Sequence, residues 1–425
     1  MKYFDLNHRP LQIGPFTAEQ LVAKYGTPLY VYDGNIIERK YSVLRTALPA
    51  VVDIFYALKS NSALAIAVLL KRLGAGCEIA SQGELETALR AGFEPANIIF
   101  AGPGKRDEEI ATAIRSGIYT LNVESIGELR RANALAAAQN RVMPVELRIS
   151  TGFSLEESVS IIGGSAPKKF GIDIAEIETA CQEALALPNI TLSGFHVFNA
   201  SQVLDWEIYA ENAGKVVTIA ADLARRFNFP LRSLDIGGGL GTPYMPEESE
   251  FDIEKFATQF ANLLKETFGE HIPRVIIEPG RYLSGECGIF LTTVIDKKRA
   301  GDKDFLITDG GIHQLLRPAL IKQNHYLINC SKPSVQTGTV YQIAGPLCTG
   351  LDFLARDIAL ANVEVGDLLA IFNAGAYGYS ESMPFFLSHP IPPEVLVYSG
   401  KEALIRPRIK PQEYLANQRV PDFLQ

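Results

Sequence analysis

The chain has 425 residues, of which 47% are hydrophobic and 21% charged, so it can bury a sizeable core and is not expected to be disordered. This length exceeds one ordinary domain and fits a large barrel with a second domain, or two to three units. The formal net charge of −8 argues against a nucleic-acid or anionic-membrane partner, since each requires a basic surface.

The cysteines and the N-terminal residues indicate the cellular compartment in which the protein is expected. Five cysteines are widely spaced, an odd number with no CxxC among them. This usage predicts reduced thiols in a cytoplasmic protein and neither a disulfide framework nor a zinc site. The N-terminal residues lack the apolar core of a signal peptide, and no apolar run reaches the roughly 18 residues that a membrane span requires.

Between about residues 50 and 280, short β-rich runs alternate with stretches of helical period. In chain order, the eight runs are VVDIFYALK, GCEIAS, NIIFAG, YTLNVES, VELRIS, LSGFHVF, SLDIGGG and RVIIEPG. The segments between them place apolar residues at i, i+3 and i+4, and several end in glycine as a helix C-cap does. Eight strand–helix units predict a parallel (β/α)8 barrel. A doubly wound sheet is the alternative, because one sequence does not reveal strand order.

After about residue 283 the pattern becomes strand-like, with few helical stretches. The runs are GIFLTTVIDKK, DFLITDGG, TVYQIAGPL, DLLAIFNAGAY and EVLVYSG. They predict a mostly antiparallel β domain, which the strand-like PLYVYD near the N-terminus is expected to join. The predicted organisation is therefore a barrel over residues 34–282 and a β domain formed by residues 1–33 and 283–425.

Reactive residues of such a barrel are expected at the carboxyl ends of its strands. The first predicted strand ends in Lys59, followed by Ser60 and Asn61. Partial burial makes a lysine amine nucleophilic, which a Schiff-base lysine requires. The alternative is a lysine whose head reaches water at the barrel rim.

The seventh and eighth strands end in candidate anion-binding segments. Gly237, Gly238 and Gly239 follow strand seven, where main-chain N–H groups can approach a phosphate closely. The loops after strands seven and eight form the usual phosphate site of this barrel, and a tight strand-to-helix turn is the alternative. Strand eight ends in EPGR, residues 278–281. Its Glu278 suits a cationic ring nitrogen and Arg281 suits a phosphate or carboxylate, unless the two merely pair to tie a loop.

The sixth strand adds weaker candidates. It carries His196, and a lone histidine on a strand is more often a packed core residue than a ligand. Ser201 is a candidate phosphate donor. Spacings of HExxH or Cys/His type are absent from the sequence, so no metal site is expected.

These residues fall within a longer series of motifs. In chain order they are FYALKSN, GCEIASQGEL, FAGPGK, KKFGI, DIGGGLG, EPGRYL, LLRPAL, GPLCTGLD and FNAGAYGYS. Over nearly the whole chain the series resembles the fold-type III pyridoxal-phosphate-dependent decarboxylases, the group of diaminopimelate, ornithine and arginine decarboxylases. The resemblance implies an alanine-racemase-type barrel with a β domain, pyridoxal 5'-phosphate as cofactor, and a homodimer whose β domains complete the active sites.

The resemblance also implies roles for single residues. Lys59 holds the cofactor as a Schiff base, Glu278 pairs with its pyridine nitrogen, and His196 belongs to the cofactor site. The phosphate is bound by groups at Ser201, Gly237, Gly238, Gly239, Gly280, Arg281 and Tyr377. Arg317 binds a substrate carboxylate. Cys348, supplied across the dimer interface, returns a proton to the reacting carbon.

Three departures from the family pattern concern the substrate. Phe198 stands where the family usually places a histidine stacked on the cofactor ring. Thr349 follows Cys348 in place of an acidic residue that helps recognise a distal amine, and Asp352 is the candidate replacement. Before EVLV the sequence reads FFLSHPIPP with His389, where an Asn–Ser–Arg-like stretch is usual, so an arginine contact is expected to be lost.

Together these departures resemble a subgroup that includes the butirosin-pathway decarboxylase, which acts on glutamate tethered to an acyl carrier protein, and the exosortase-associated decarboxylases. A carrier-bound glutamyl group has a thioester in place of its distal carboxylate, which suits the neutral Thr349. We therefore expect decarboxylation of an amino acid or a carrier-bound, glutamyl-like aminoacyl group. The alternatives are a diaminopimelate decarboxylase, an amino-acid racemase, or a non-catalytic regulator that binds pyridoxal phosphate.

Overall fold

The computed structural model of the protein describes residues 2–6, 10–152, 169–330, 332 and 338–424. The first residue of the KKFGI motif lies outside these ranges. The chain divides into two compact units, one formed by residues 38–242 and 249–283 and the other by residues 1–37, 243–248 and 284–425. Among the described residues, no helix has both the length and the apolar character needed to cross a membrane.

The first unit is a closed barrel of eight parallel strands. In chain order, the barrel strands are Val52–Ala57, Gly76–Ile79, Ile98–Phe100, Thr120–Val123, Met143–Ser150, Ile190–His196, Ser233–Asp235 and Arg274–Ile277. The first strand pairs with both the second and the eighth, and the fifth pairs with the sixth, so the sheet closes on itself. The (β/α)8 prediction is therefore confirmed, and the doubly wound alternative is wrong because an open sheet has no such closing pair.

Helices follow the barrel strands. They are Leu64–Leu73, Gln82–Ala91, Asp107–Ser116, Ile126–Ala138, Ile177–Ala186, Trp206–Arg226, Ile253–Phe268 and the short Arg281–Ser284, and the helix Gly34–Ala47 precedes the first strand. A short strand, Ile172–Asp173, extends the edge of the fifth. Ser81 and Ser125 cap helix N-termini through their hydroxyls, and Gly74, Gly92 and Gly117 end helices in the left-handed conformation.

An apolar cluster closes the barrel below the polar strand ends. Phe55, Ile99 and Ile276 are each at most 1% exposed and contact one another from the first, third and eighth strands. The first and third strands are not neighbours in the sheet, so these side chains meet inside the barrel. Gly76 makes room for them, because a Cβ there would lie 2.7 Å from the ring of Phe55.

The second unit is built on a mostly antiparallel sheet. From one edge to the other, its main path contains Phe353–Leu360, Thr339–Ala344, Lys303–Thr308, Gly288–Ala300, Leu29–Asp33, Glu394–Tyr398 and Lys401–Arg406. Leu368–Ile371 pairs with Gly288–Ala300 and with Leu327–Asn329. The remaining elements are the hairpin Gln12–Ile13 and Phe16–Thr17, the helices Ala18–Tyr25, Arg317–Ile321 and Pro411–Leu415, and the 3-10 turns Phe386–Ser388 and Asp422–Leu424.

Candidate active site

Lys59 lies in a 3-10 turn directly after the first barrel strand. Its Nζ donates to Oε2 of Glu78, on the second strand, at 2.7 Å. The same Nζ lies 5.5 Å from the ring centroid of Phe198. The lysine side chain is 30% exposed, whereas Glu78 is buried. The amine is thus held at the barrel mouth between a carboxylate and an aromatic face, and it remains open to an incoming carbonyl group.

Glu78 is an unusual partner for this amine. Burial raises the pKa of its carboxyl to about 7, with Glu278 acting in the same direction and Lys59 opposing it. Near neutral pH the carboxyl therefore exchanges a proton readily, next to the candidate Schiff-base amine. A group with a pKa near the working pH is suited to general acid–base chemistry.

The three glycines after strand seven are required by close backbone packing. A Cβ on Gly237 would lie 2.6 Å from the carbonyl oxygen of Val197, and one on Gly238 would lie 2.4 Å from that of Glu278. Gly237 and Gly239 also have positive φ angles, +73° and +119°. The loop therefore packs closely against the ends of strands six and eight, and it has no side chains of its own to cover its main chain. This arrangement fits a phosphate.

The end of the eighth strand contributes Glu278, Gly280 and Arg281, all buried. A Cβ on Gly280 would lie 3.0 Å from the Cβ of Ser60, so this glycine packs directly against the turn that carries Lys59. Arg281 begins the short helix Arg281–Ser284. Ser201 is half-buried beyond the sixth strand, and the neighbouring Gln202 exchanges two hydrogen bonds with the main chain of Thr242.

Glu278 is the anionic centre of the barrel mouth. His196 Nε2 lies 3.5 Å from Glu278 Oε2, and Glu278 Oε1 is buried with no hydrogen-bond partner among the described residues. Burial would raise the pKa of Glu278, but His196 and Lys59 outweigh it and lower the value to about 2. Burial lowers the pKa of His196. An ionised carboxylate with an unused buried oxygen fits a protonated ring nitrogen.

Several charged residues of this site were not singled out from the sequence. Arg148, on strand five, donates to Glu124 at 2.7 Å, and its guanidinium carbon lies 6.0 Å from the ring centroid of Phe198. Glu78 and Asp235 complete the group. Each of the three lies within one of the apolar runs that predicted the barrel strands. A charged residue among buried strand residues is the sequence signal that could have identified them.

The β unit holds the remaining candidates. Arg317 Nη1 donates to Glu381 Oε2 at 3.0 Å, and its guanidinium carbon lies 5.0 Å from the ring centroid of Tyr377. Cys348 is exposed and Thr349 half-buried. Asp352 is buried, and its two oxygens accept the main-chain N–H groups of Ile312 and Leu347. Its carboxylate thus ties backbone segments together, and its substrate role stays a prediction.

His389, which marks the third departure, lies against His313 with 4.8 Å between the ring centroids. His313 is buried, and burial together with His389 lowers its pKa to about 4. The FLSHP segment thus places the His389 ring against a buried His313 whose low pKa keeps it neutral near pH 7. Just before this segment and at its start the chain exposes four apolar side chains, namely Met383, Phe385, Phe386 and Leu387.

Comparison with known proteins identifies the family. Residues 35–285 match the family described as "Pyridoxal-dependent decarboxylase, pyridoxal binding domain". The chain is 36% identical over 406 residues to a diaminopimelate decarboxylase from Aquifex aeolicus, covering 96% of this chain and 95% of that protein. It is 33% identical over 407 residues to the L-glutamyl-[BtrI acyl-carrier protein] decarboxylase from Niallia circulans, covering 94% and 95%.

A solved structure agrees over the full length. The crystal structure of a diaminopimelate decarboxylase from M. jannaschii has a TM-score of 0.92 and 30% identity, covering 100% of this chain and 99% of that one. These relatives are named as decarboxylases, which favours that activity over the racemase and the non-catalytic regulator. The chain therefore belongs to the pyridoxal-dependent decarboxylase family and is an enzyme that uses pyridoxal phosphate to decarboxylate its substrate.

Proposed function

We propose that this decarboxylase acts on a glutamyl-like group whose distal end is carried as a thioester on an acyl carrier protein. The observation that carries the proposal is the 3.0 Å ion pair between Arg317 and Glu381. The family resemblance assigns Arg317 to a substrate carboxylate, but here the chain supplies a carboxylate of its own. A substrate without a free distal carboxylate does not compete for that guanidinium.

Two further features support a distal end without charge. Thr349, the residue after Cys348, is neutral, so it offers no counter-charge to a distal ammonium, and a buried ammonium needs one. The exposed apolar residues that follow Glu381 suit the uncharged arm of a carrier; Phe385 is 65% exposed and Phe386 41%.

We assign Lys59 to the covalent attachment of pyridoxal phosphate. Glu278 would pair with the ring nitrogen, and His196 and Phe198 would line the ring. The phosphate site is assigned to Ser201, Gly237, Gly238, Gly239, Gly280, Arg281 and Tyr377. When bound, the cofactor withdraws electrons from the bond to the departing carboxylate. The protein orients that bond, and the Cys348 thiol returns a proton to the reacting carbon.

We further propose a homodimer, in a reducing compartment such as the cytoplasm. The exposed thiol of Cys348 supports a role at a surface between subunits, and in the described part of the chain no two cysteines form a disulfide. In this arrangement each active site uses Lys59 of one subunit and Cys348 of the other.

Diaminopimelate is the second candidate substrate, and one observation favours it. Arg317 Nε is buried and makes no hydrogen bond to any described residue, so the guanidinium keeps a donor for a substrate carboxylate while Glu381 faces an ammonium. An Arg–Glu pair can in this way receive the distal ammonium and carboxylate of a free diamino acid.

The test measures carbon dioxide release from diaminopimelate and from a glutamyl thioester of an acyl carrier protein, with wild type and with Glu381→Gln. We expect wild type to decarboxylate the thioester alone. Glu381→Gln is expected to gain activity on diaminopimelate, because Arg317 then has no competing carboxylate. Glu364→Gln, at an exposed position of the same unit, is the control. Wild-type turnover of diaminopimelate alone, abolished in Glu381→Gln, would instead establish the second candidate.

A further inference from the structure

Three carboxyl groups are buried together inside the barrel. Asp235, at the end of strand seven, and Glu278, directly after strand eight, each place an oxygen within 4.8 Å of a ring nitrogen of His196 and of each other. Glu146, on strand five, is fully buried and accepts a hydrogen bond from Ser233 Oγ at 2.5 Å. Asp235 and Glu278 are close enough in this low-dielectric interior that they do not both ionise, so one of them keeps a proton.

The surroundings of Asp235 differ from those of Glu278. Asp235 Oδ1 accepts the main-chain N–H of Gly237 at 2.8 Å, and Oδ2 is buried with no hydrogen-bond partner among the described residues. The titratable groups that face it are His196 from strand six, Glu278 from strand eight, Glu146 from strand five and Tyr209 from the helix Trp206–Arg226. By contrast, the ammonium of Lys59 acts on Glu278 and lowers its pKa.

We propose that Asp235 is a positioning residue that stays protonated at neutral pH and donates its O–H to Glu278, which thereby remains an anion. The hydrogen bond from Gly237 to Oδ1 leaves Oδ2 as the oxygen that carries the proton toward Glu278. Burial, with Glu278 and Glu146 adding to it, raises the pKa of Asp235 well above its usual range. The link of this arrangement to catalysis rests on the role proposed for Glu278, but the proton itself is a property of the chain.

This arrangement connects two parts of the cofactor site. The carboxyl group of Asp235 accepts the main-chain N–H of Gly237, in the glycine loop assigned to the phosphate. In the proposed arrangement it also donates to Glu278, the residue assigned to the ring nitrogen. Asp235 thus fixes the distance between the two, and it adds no second negative charge beside Glu278. An ionised Asp235 would repel the carboxylate of Glu278 and would have no O–H to donate to it.

The test compares Asp235→Asn with wild type as apoproteins, by the denaturant dependence of unfolding at several pH values. The native wild type keeps a proton that the unfolded chain releases above the ordinary aspartate pKa, so wild type loses stability relative to Asp235→Asn as the pH rises from about 5 to about 8. The ratio of the two unfolding constants is expected to change by up to about tenfold per pH unit. Asp53→Asn, at a partly exposed position of strand one, is the control and should show no such trend.

A second measurement separates positioning from a merely structural role. Asparagine mimics a protonated aspartate, because it accepts at Oδ1 and donates at Nδ2. Asp235→Asn is therefore expected to bind the cofactor more tightly than Asp235→Ala by about tenfold or more, the usual effect of one hydrogen bond to a charged group. An Asp235→Asn protein that fails to fold, or that shows no stability change with pH relative to wild type, overturns the proposal. So does one that binds the cofactor as weakly as Asp235→Ala.

Discussion

The amine of Lys59 and the buried carboxyl of Glu78 form a 2.7 Å ion pair at the barrel mouth. The pair joins the ends of two neighbouring strands, and the carboxyl has a pKa of about 7. Before the cofactor is attached, Glu78 stabilises the ammonium form of the lysine. If Lys59 holds the cofactor as proposed, its nitrogen no longer pairs with Glu78 as an ammonium, and the carboxyl would be able to accept or hold a proton beside it.

Lys59 is the first residue to test. Borohydride reduction of the loaded enzyme should fix the cofactor to the peptide that contains Lys59, as read by mass spectrometry. Lys59→Ala should retain no reducible adduct and should lose activity by several orders of magnitude, because the attachment point is removed. Lys105→Ala is the comparison, because that lysine is buried in an ion pair with Glu128 and no role in attachment is assigned to it. An adduct on another lysine in wild type would refute the assignment.

The glycine loop offers a test of the phosphate site. In Gly238→Ala the added Cβ would meet the carbonyl oxygen of Glu278 at 2.4 Å, and backbone cannot give way as a side chain can. We expect this variant to bind pyridoxal phosphate at least about tenfold more weakly, by equilibrium titration. Gly104→Ala is the control, since a Cβ there meets nothing within 4 Å. Equal affinity of the two variants would count against the loop as the phosphate site.

Glu146 gives the barrel a pH-dependent stability. Burial raises the pKa of this carboxyl to about 8, with the hydrogen bond from Ser233 opposing the shift. The native state therefore keeps a proton that the unfolded chain releases, and stability falls as the pH rises from about 4.5 toward 8. Apoprotein Glu146→Gln should gain up to about 4 kcal/mol over wild type across this range, measured by denaturant unfolding. A constant difference between the two proteins would mean that Glu146 is ionised in the native state.

The shared active site can be tested by mixing two inactive variants. Lys59→Ala and Cys348→Ala each remove one proposed member of the site. If one subunit supplies Lys59 and the other Cys348, random reassociation of equal amounts restores one intact site in each mixed dimer, about a quarter of all sites. Carbon dioxide release from the mixture should rise accordingly over either variant alone. No recovery, with subunit exchange verified by tagged chains, would place both residues on the same subunit.

The barrel was predictable because its pattern is local. Each of the eight apolar runs became a barrel strand, and Gly74, Gly92 and Gly117 end helices as the sequence indicated. The positions of Lys59 and the EPGR segment, directly after the first and eighth strands, were also predictable, and their roles stay predictions. Which strands neighbour each other, and hence the closure of the sheet, needed the structure.

The interior carboxyls were not predicted, although their positions were visible. Glu78 lies in GCEIAS and Glu146 in VELRIS, where a charge among apolar strand residues signals a buried polar group. Their meaning depends on partners far along the chain, such as Ser233 for Glu146, 87 residues away. Alternation along a strand tells which face a residue takes, but not which group it meets there. The pairing of Arg317 with Glu381 escaped prediction for the same reason.

The strand Leu29–Asp33 has consequences for the order in which the chain acquires its structure. It lies between Gly288–Ala300 and Glu394–Tyr398, with Tyr30 opposite both Phe290 and Glu394. During synthesis, all eight barrel strands are present once about residue 280 has emerged. Leu29–Asp33, in contrast, is not paired on both sides until Glu394–Tyr398 has been synthesised, near the end of the chain. Truncation of the chain before Glu394 would leave Leu29–Asp33 as an exposed apolar edge strand. The expected outcome is aggregation through the β unit, while the barrel unit still folds.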